Sequence, residues 1–599
     1  MTTVSTLSTE PRRTLQLGET TFEYLVVPLG AYVDAGLLLP MGHFAQEIGL
    51  PAALRHFVQL KQKRLRYTPE DKLLTFFVSL VDGCGYTSDI NTRLKPFPEL
   101  ARAWDLADFA TQNAVNATLH TIHWPHVQQL EQLFQFLFER NSLARRQSPQ
   151  EVLVVDIDTK GLPVSLRSQR FEWAERGYFP GGRNQKGLQF TAAFLGGPVR
   201  EALGGYLAPG YAHVTHELPA ILHLIEKRLG APLRRRDLLQ QHARLLQTEA
   251  QTGRARVLRL EQQLEQGYGH LHLVQQRLSR HQAQIKALKA RCQRLPQRTR
   301  KLQRQMADHQ AKVRGDRRRE KNDRQRIARL GQRRQQAQEA VDLALEVSRT
   351  LLALAEAPLV LGQVRLLLVR SDSSLGTGPI ITLLLERGYL FLIKGHDSRT
   401  ARHLAADIPV WAWQPVDAHL RAAEAPTTHL TGCPFEVRLV VCERTAEQQP
   451  LGYYFLITNL PRCTYDTVAL VGFYNGRQTI EAFNKVMGNV LFLDHLRTGS
   501  ITANEGVAVL SMLAYDFQSW SAHRFFDGTP YAGIAIRELV EKGLRVLARV
   551  SWPQPGLCRT ELSVESPYAC AFVAGPQGSA GQLALPLDFN RPTTGPKTA

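Results

Sequence analysis

Glu151-Val-Leu-Val-Val-Asp-Ile157, running into Asp158-Thr-Lys-Gly161, is the stretch on which the fold turns. A short valine-rich run bounded by turn residues reads as a buried strand that ends at Asp158. A second strand is expected near Leu162–Leu166 and a third at Leu188–Leu195, with a basic, turn-rich loop over Arg176–Lys186 between them. A helix begins near Thr215. Farther along, Val364-Arg-Leu-Leu-Leu-Val-Arg370 is another buried strand, ending at Asp372. Gly378–Arg387 then reads as a helix and Tyr389-Leu-Phe-Leu-Ile-Lys394 as a strand. Strands alternating with helices predict an α/β fold, a sheet with helices packed on it.

Upstream of this region, residues 40–145 alternate helical patterns with short breaks. Thr68 is placed to cap a helix starting at Pro69, and Val127–Leu137 carries a helical apolar pattern. Phe109–Leu119 suits part of a DNA-reading helix-turn-helix or, equally, a small helical bundle. Residues 1–25 read as a weakly structured lead-in. Residues 408–460 are β-rich, Ala503–Arg524 is helical, and the tail from about Gly575, rich in Gly, Pro, Ser and Thr, reads as disordered.

With 599 residues the chain exceeds one core and suggests about three to five domains. No run of about 18 apolar residues predicts a membrane span, and Met1-Thr-Thr-Val-Ser-Thr-Leu lacks a secretory pattern. Seven scattered cysteines without a CxxC pair argue for a reduced compartment and against a structural zinc site. The net charge is +19, and residues 231–349 hold 29 basic against 11 acidic side chains, so +18 of it lies in one block. Charge so concentrated points to a polyanion, most simply nucleic acid.

That block carries apolar residues at strict sevens: Leu264, Leu271, Leu278, Ile285 and Cys292, with a companion series Val274, Leu288, Leu295 and Leu302. Sustained sevens predict a coiled coil. Pro296 and Gly315 are the expected breaks of an antiparallel hairpin. Surplus arginine, such as Arg317, Arg318 and Arg319, favours a DNA-tracking arm over a charge-balanced coiled coil, and pairing of two protomers is compatible with it.

A second informative stretch is Tyr474-Asn-Gly-Arg477-Gln-Thr-Ile-Glu481-Ala-Phe-Asn-Lys485. As one helix it places Tyr474, Arg477, Glu481 and Lys485 on a single stripe, beside the apolar Phe473, Ile480 and Phe483. A solvated amphipathic helix is the competing reading. Asp158 and Asp372, each following an apolar strand, lie where ligands gather in open α/β sheets. Joined by Glu481 they form a set of hard oxygen donors suited to Mg2+, of which two ions activate a nucleophile and steady a leaving oxygen. Asp156, two residues away on the same strand face, is the alternative first ligand.

Asp158, Asp372 and Tyr474-x2-Arg477-x3-Glu481 in this order resemble the DDE transposases of bacterial insertion sequences, and within them the group marked by a Tyr-x2-Arg-x3-Glu-x6-Lys helix. Val155-Asp-Ile-Asp-Thr-Lys-Gly-Leu-Pro163, Arg370-Ser-Asp-Ser373 and Phe455-Leu-Ile-Thr-Asn-Leu460 fit as flanks, and the resemblance spans roughly residues 50–530. It implies an RNase H-like catalytic core with Asp158, Asp372 and Glu481 as catalytic metal ligands for two Mg2+ ions, Mn2+ substituting. It implies that Tyr474, Arg477 and a lysine contact DNA phosphates. The chain departs from the pattern at that lysine, because Gly488 stands in its place; Lys485, one turn earlier, is the candidate substitute and Asn484 the other polar one. The β-rich stretch matches the family's insertion site, where Trp411 and Trp413 would stack on a flipped base; core packing is their competing use.

The expected organisation is a helical N-terminal domain over 1–147 and core segments at 148–230, 353–407 and 461–545. A basic coiled-coil hairpin occupies 231–352, a β-rich insertion 408–460, and a C-terminal segment 546–599. The expected activity is metal-dependent cleavage and 3′-OH strand transfer at element ends. Its partners would be double-stranded DNA (terminal inverted repeats and target) and a second copy in a synaptic homodimer, with no membrane. The bacterial cytoplasm, at the nucleoid, is the expected location. A decayed or repurposed DNA-binding protein is the alternative.

Overall fold

A computed structural model describes residues 12–27, 33–34, 36–62, 66–179, 182–294, 299–357, 364–446 and 449–575. Contacts divide the chain into two compact units, residues 1–233 with 360–599, and residues 234–359. Among the described residues no helix is long and apolar enough to cross a membrane.

The first unit is mixed α/β and holds two sheets. Strands β1 (Arg12–Leu17), β2 (Thr20–Val27) and β3 (Val33–Asp34) open the chain. Ten strands make the large sheet: β4 (Val152–Val164), β5 (Glu175–Phe179), β6 (Gly182–Leu195), β7 (Ala202–Pro209), β8 (Leu366–Ser371), β9 (Leu390–Lys394), β10 (Gln414–Asp417), β11 (Leu420–Glu424), β12 (Arg438–Ala446) and β13 (Gln449–Thr458). Then β14 (Leu547–Gln554) and β15 (Leu557–Ser563) return to the N-terminal strands in the order β1-β2-β15-β14-β3. The lead-in expected to be weakly structured therefore supplies, from Arg12 onward, two of the five strands of this sheet. Its alternation of buried Phe22, Tyr24 and Val26 with more exposed neighbours is the strand period, but the pairing partner lies more than five hundred residues away.

In the large sheet β4 lies between β8 and β6. It runs antiparallel to β6 and parallel to β8, β8 is parallel to β9, and β7 flanks β6. The β-rich stretch 408–460 extends the same sheet through β13, which is antiparallel to β9. Two expectations are corrected here. The strand at 151–157 does not stop at Asp158; it continues to Val164, absorbing the separate strand expected at Leu162–Leu166. Most of the loop expected at Arg176–Lys186 is the β5–β6 ladder, and Pro180 and Gly181 lie outside the described residues.

Helix Ile501–Phe526 forms the centre of this unit. Nearly every residue of it is buried, polar ones such as Asn504, Gln518 and Ser521 included, against β7 and the helices Trp124–Asn141 and Pro69–Val81. Two of its acids serve the edge strand: Glu505 accepts from the Leu207 N–H (2.8 Å) and Asp516 from the Ala202 N–H (2.7 Å). They satisfy backbone donors that β7 would otherwise bury unpaired. Burial pushes the Glu505 carboxyl up to about 8. The Pro69 helix begins as its sequence predicts, with the Thr68 hydroxyl accepting from the Asp71 N–H.

The second unit is a hairpin of two long helices, Arg236–Arg294 and Thr299–Glu356. Ser348 donates to the Ala243 carbonyl, Arg334 pairs with Glu261 and Gln275 donates to Glu320, which fixes an antiparallel pairing. The seam steps by alternate fours and threes through Leu239, Ala243, Leu246, Ala250, Gly253, Val257, Leu260 and Leu264, and on to Leu271, Val274 and Leu278. Gly253 and Gly267 are seam positions too, where a Cβ would meet Val341 and Ile327 of the other helix. Gly315, expected as a break, lies inside the second helix. One glycine costs a helix only about 1 kcal/mol, which a seam this long overrides. Pro296 and Leu295 lie outside the described residues, as does the tail from residue 576.

Candidate active site

The stretch from Tyr474 to Lys485 is two helices, Thr467–Asn475 and Gln478–Asn489, not one. In a continuous helix the Phe473 carbonyl would accept from the Arg477 N–H. Instead Arg370 Nη1 takes that carbonyl at 2.7 Å, and the Arg477 N–H turns to Tyr474 O at 3.0 Å. Gly476 permits the turn: a Cβ there would sit 2.6 Å from Arg370 Nη1. Tyr474 thus ends one helix, Arg477 caps the next and Glu481 stands in its first turn.

Arg370 also decides between the two aspartates of β4. Asp156 is wholly buried, and its Oδ1 and Oδ2 accept from Arg370 Nε (2.7 Å) and Nη2 (2.9 Å). Thr479 adds a third bond, 2.8 Å to Oδ2. Burial pushes the Asp156 carboxyl up and the Arg370 guanidinium is the main opposing pull. With both oxygens engaged inside the protein, Asp156 ties β4 and β8 to the helix pair and offers nothing to a ligand. The alternative first ligand is set aside on these contacts.

Asp158 is different. The parallel ladder with β8 ends at Ile157↔Ser371, whereas β4 continues against β6, so Asp158 stands just beyond the point where its neighbour leaves. It accepts from Asn484 Nδ2 at 3.0 Å and lies 3.9 Å from Arg477 Nη1. Burial first, and then the charges of Asp372 and Glu481, push its carboxyl up to about 6 against the pull of Arg477. Asp372 caps the short turn Ser373–Leu375, its Oδ1 accepting from the Ser374 N–H at 2.9 Å. Glu481, half exposed, pairs with Arg477 Nη2 at 3.0 Å. Burial pushes Tyr474 up to about 12, with Asp372 and Asp158 adding to the rise against Arg477. Five side chains named from the sequence (Asp158, Asp372, Glu481, Tyr474 and Arg477) therefore act on one another in one place.

Arg477 is the counter-ion of this cluster. It is 16% exposed and faces both Asp158 and Glu481, while its Nη1 makes no hydrogen bond among the described residues. Nor does the buried Asn484 Oδ1. Among the described residues no group of three His, Cys, Asp or Glu is drawn together tightly enough to hold a metal ion. The donors nevertheless suit a hard cation: all are oxygens, and the Asp158 carboxyl, raised by burial and further by two like charges, is one whose repulsion a divalent ion would relieve.

The other named residues fall elsewhere. Lys485 is exposed beyond Glu481. Trp411 is 86% exposed in the short turn Val410–Ala412, outside any core, whereas Trp413 is half-buried beside Tyr453 with Arg421 over its ring. Arg317, Arg318 and Arg319 are exposed on the hairpin, next to the seam residue Asp316. Lys394 and Arg444 were not singled out from sequence. Both stand over the Tyr454 ring, at 5.0 and 5.5 Å. Burial and Arg444 lower the Lys394 ammonium while Asp372 raises it. A lysine closing an apolar strand at the sheet edge where the acids gather was the available signal. The chain matches no family model and no curated protein.

Proposed function

We propose that this chain is a DNA transposase that cuts DNA at element ends and joins the 3′-OH to a target by two-metal phosphoryl transfer. The observation that carries the reading is the arrangement around Arg477, which pairs with Glu481 at 3.0 Å, lies 3.9 Å from Asp158 and feels the charge of Asp372, while Asp372 and Glu481 both act on Asp158. The strand order β7-β6-β4-β8-β9, with β6 antiparallel to its neighbours and β8 and β9 parallel to β4, supports an RNase H-like core. Asp158, Asp372 and Glu481 would hold Mg2+, with Mn2+ as a substitute, and the ions would supply Lewis-acid stabilisation of the attacking and leaving oxygens.

The chain's own residues do the rest. Asn484 orients Asp158 through its 3.0 Å bond. Arg477 neutralises Asp158 and Glu481 while no DNA is bound, and on binding turns its Nη1, which lies 3.9 Å from Asp158 without a hydrogen bond, to a phosphate. Tyr474, kept protonated by burial, donates from its hydroxyl. Trp411, exposed, would be available to stack on an unpaired base, and the arginine-rich hairpin would track duplex phosphates. Function as a homodimer at the bacterial nucleoid follows from the same reading.

Strand cleavage of a duplex carrying the DNA that flanks the gene, assayed in Mg2+, tests it. Asp372→Ala and Glu481→Ala should abolish cleavage while binding persists. Wild-type binding without cleavage would favour the repurposed DNA-binding protein, a reading that Gly488 at the signature lysine position also favours. Cleavage unchanged in both variants would remove the metal assignment.

A further inference from the structure

The Gln478–Asn489 helix runs alongside β4, and alternate residues on one face of the strand meet successive points on it. Asp156 accepts from Thr479, Asp158 from Asn484, and Lys160 reaches the helix at Asn484 O (3.1 Å) and Gly488. The spacings match: two strand residues rise about 6.7 Å, against about 7.5 Å for the five helical residues from Thr479 to Asn484 and about 6 Å for the four from Asn484 to Gly488. Gly488 is the position where the signature helix is expected to carry its lysine. A Cβ built there would lie 1.9 Å from Lys160 Nζ, so the strand lysine fills the space that the missing side chain leaves. Its other partner is Asp494, at 2.8 Å.

We propose that Lys160 is the phosphate-contacting cation of this site, supplied by β4 in place of a helix lysine, with Asp494 holding the ammonium until DNA arrives. The proposal rests on the transposase reading. It explains why Gly488 is glycine, since any side chain there would expel the Lys160 ammonium. It also explains why Lys485, exposed and one turn earlier, is not needed for the role.

The test uses the full chain and the duplex carrying the gene's flanking DNA, with cleavage in Mg2+ and the salt dependence of binding as readouts. Lys160→Ala and Lys160→Gln should each lower cleavage tenfold or more and reduce the slope of log K against log salt by about one. Gly488→Lys alone should also impair cleavage, by crowding Lys160. Gly488→Lys combined with Lys160→Ala should restore both readouts. Asp494→Ala separates a structural pair from a DNA contact: it should tighten binding, whereas a purely structural pair predicts the same loss as Lys160→Ala. An unchanged slope in both Lys160 variants, or a double variant no better than Lys160→Ala, overturns the proposal. If wild type cleaves and Asp372→Ala does not, such a result falls on Lys160 alone. If wild type neither binds nor cleaves this DNA, the transposase reading fails and the proposal with it.

Discussion

Asp156 and Asp158 are two residues apart on one face of one strand, and the same isosteric change should move stability in opposite directions. Asn in place of Asp156 leaves the Arg370 guanidinium, 3% exposed, facing an amide where it met a carboxylate through bonds of 2.7 and 2.9 Å. Removing one partner of a buried ion pair costs about 3–5 kcal/mol, and the retained shape places Asp156→Asn near the lower end. At Asp158, burial and two like charges raise the carboxyl from 3.8 to about 6. At about 1.36 kcal/mol per unit, the ionised group opposes folding at neutral pH by up to about 3 kcal/mol. Asp158→Asn should therefore stabilise the metal-free protein by up to that amount. Because the folded state takes up this proton first, the advantage over wild type is full above pH 6 and fades toward 3.8. Urea unfolding in a chelating buffer, read as a midpoint shift at constant m, measures both changes. Equal midpoint shifts for the two variants, or a loss in Asp158→Asn that persists at low pH, would refute the reasoning.

His43 is buried beside Tyr24 and held down to about 3 by desolvation. The unfolded histidine protonates near 6.5, so wild type should lose up to about 5 kcal/mol as pH falls from 6.5 toward 3. His43→Gln should flatten that limb in pH-dependent melts. Trp411→Ala should leave the melting temperature nearly unchanged, within about 0.5 kcal/mol, because the residue is 86% exposed. Fluorescence of a base analogue near the cleavage point should report lost stacking. In the hairpin, Gly315→Ala meets nothing within 4 Å and should stabilise by about 0.5–1 kcal/mol, while Gly253→Ala meets Val341 Cγ2 at 2.5 Å and should destabilise by about 1 kcal/mol or more. Thermal unfolding followed by helical signal distinguishes the two.

The elements legible in the sequence were those with local causes. Apolar runs set β4, β8 and β9, Thr68 set a helix start, and the sevens set the hairpin. Asp158 and Asp372 were legible because each interrupts or follows such a run, and Glu481 because of its spacing after Tyr474 and Arg477. What escaped depends on contacts between distant segments. The helix break at Gly476 comes from Arg370 on another strand, and Asp158 stands clear because β8 ends rather than because β4 does. Asp156 and Asp158 also differ in the cation that faces them, Arg370 in one case and Arg477 in the other. The place of Lys160 shows only when Gly488 lies against it.

The pairing of β2 with β15 has a consequence in time. Glu23 and Arg559, joined across these strands at 3.1 Å, are 536 residues apart. At about 5–20 residues per second, a ribosome needs roughly half a minute to two minutes to make the second after the first. Throughout that interval the β1–β2 hairpin carries Phe22, Tyr24 and Val26 with no strand beside it, an open edge of the kind that recruits wrong partners. The segments holding Asp158, Asp372 and Glu481 are all synthesised before that edge is closed, so the nascent chain depends on whatever shields the hairpin until its last strands emerge.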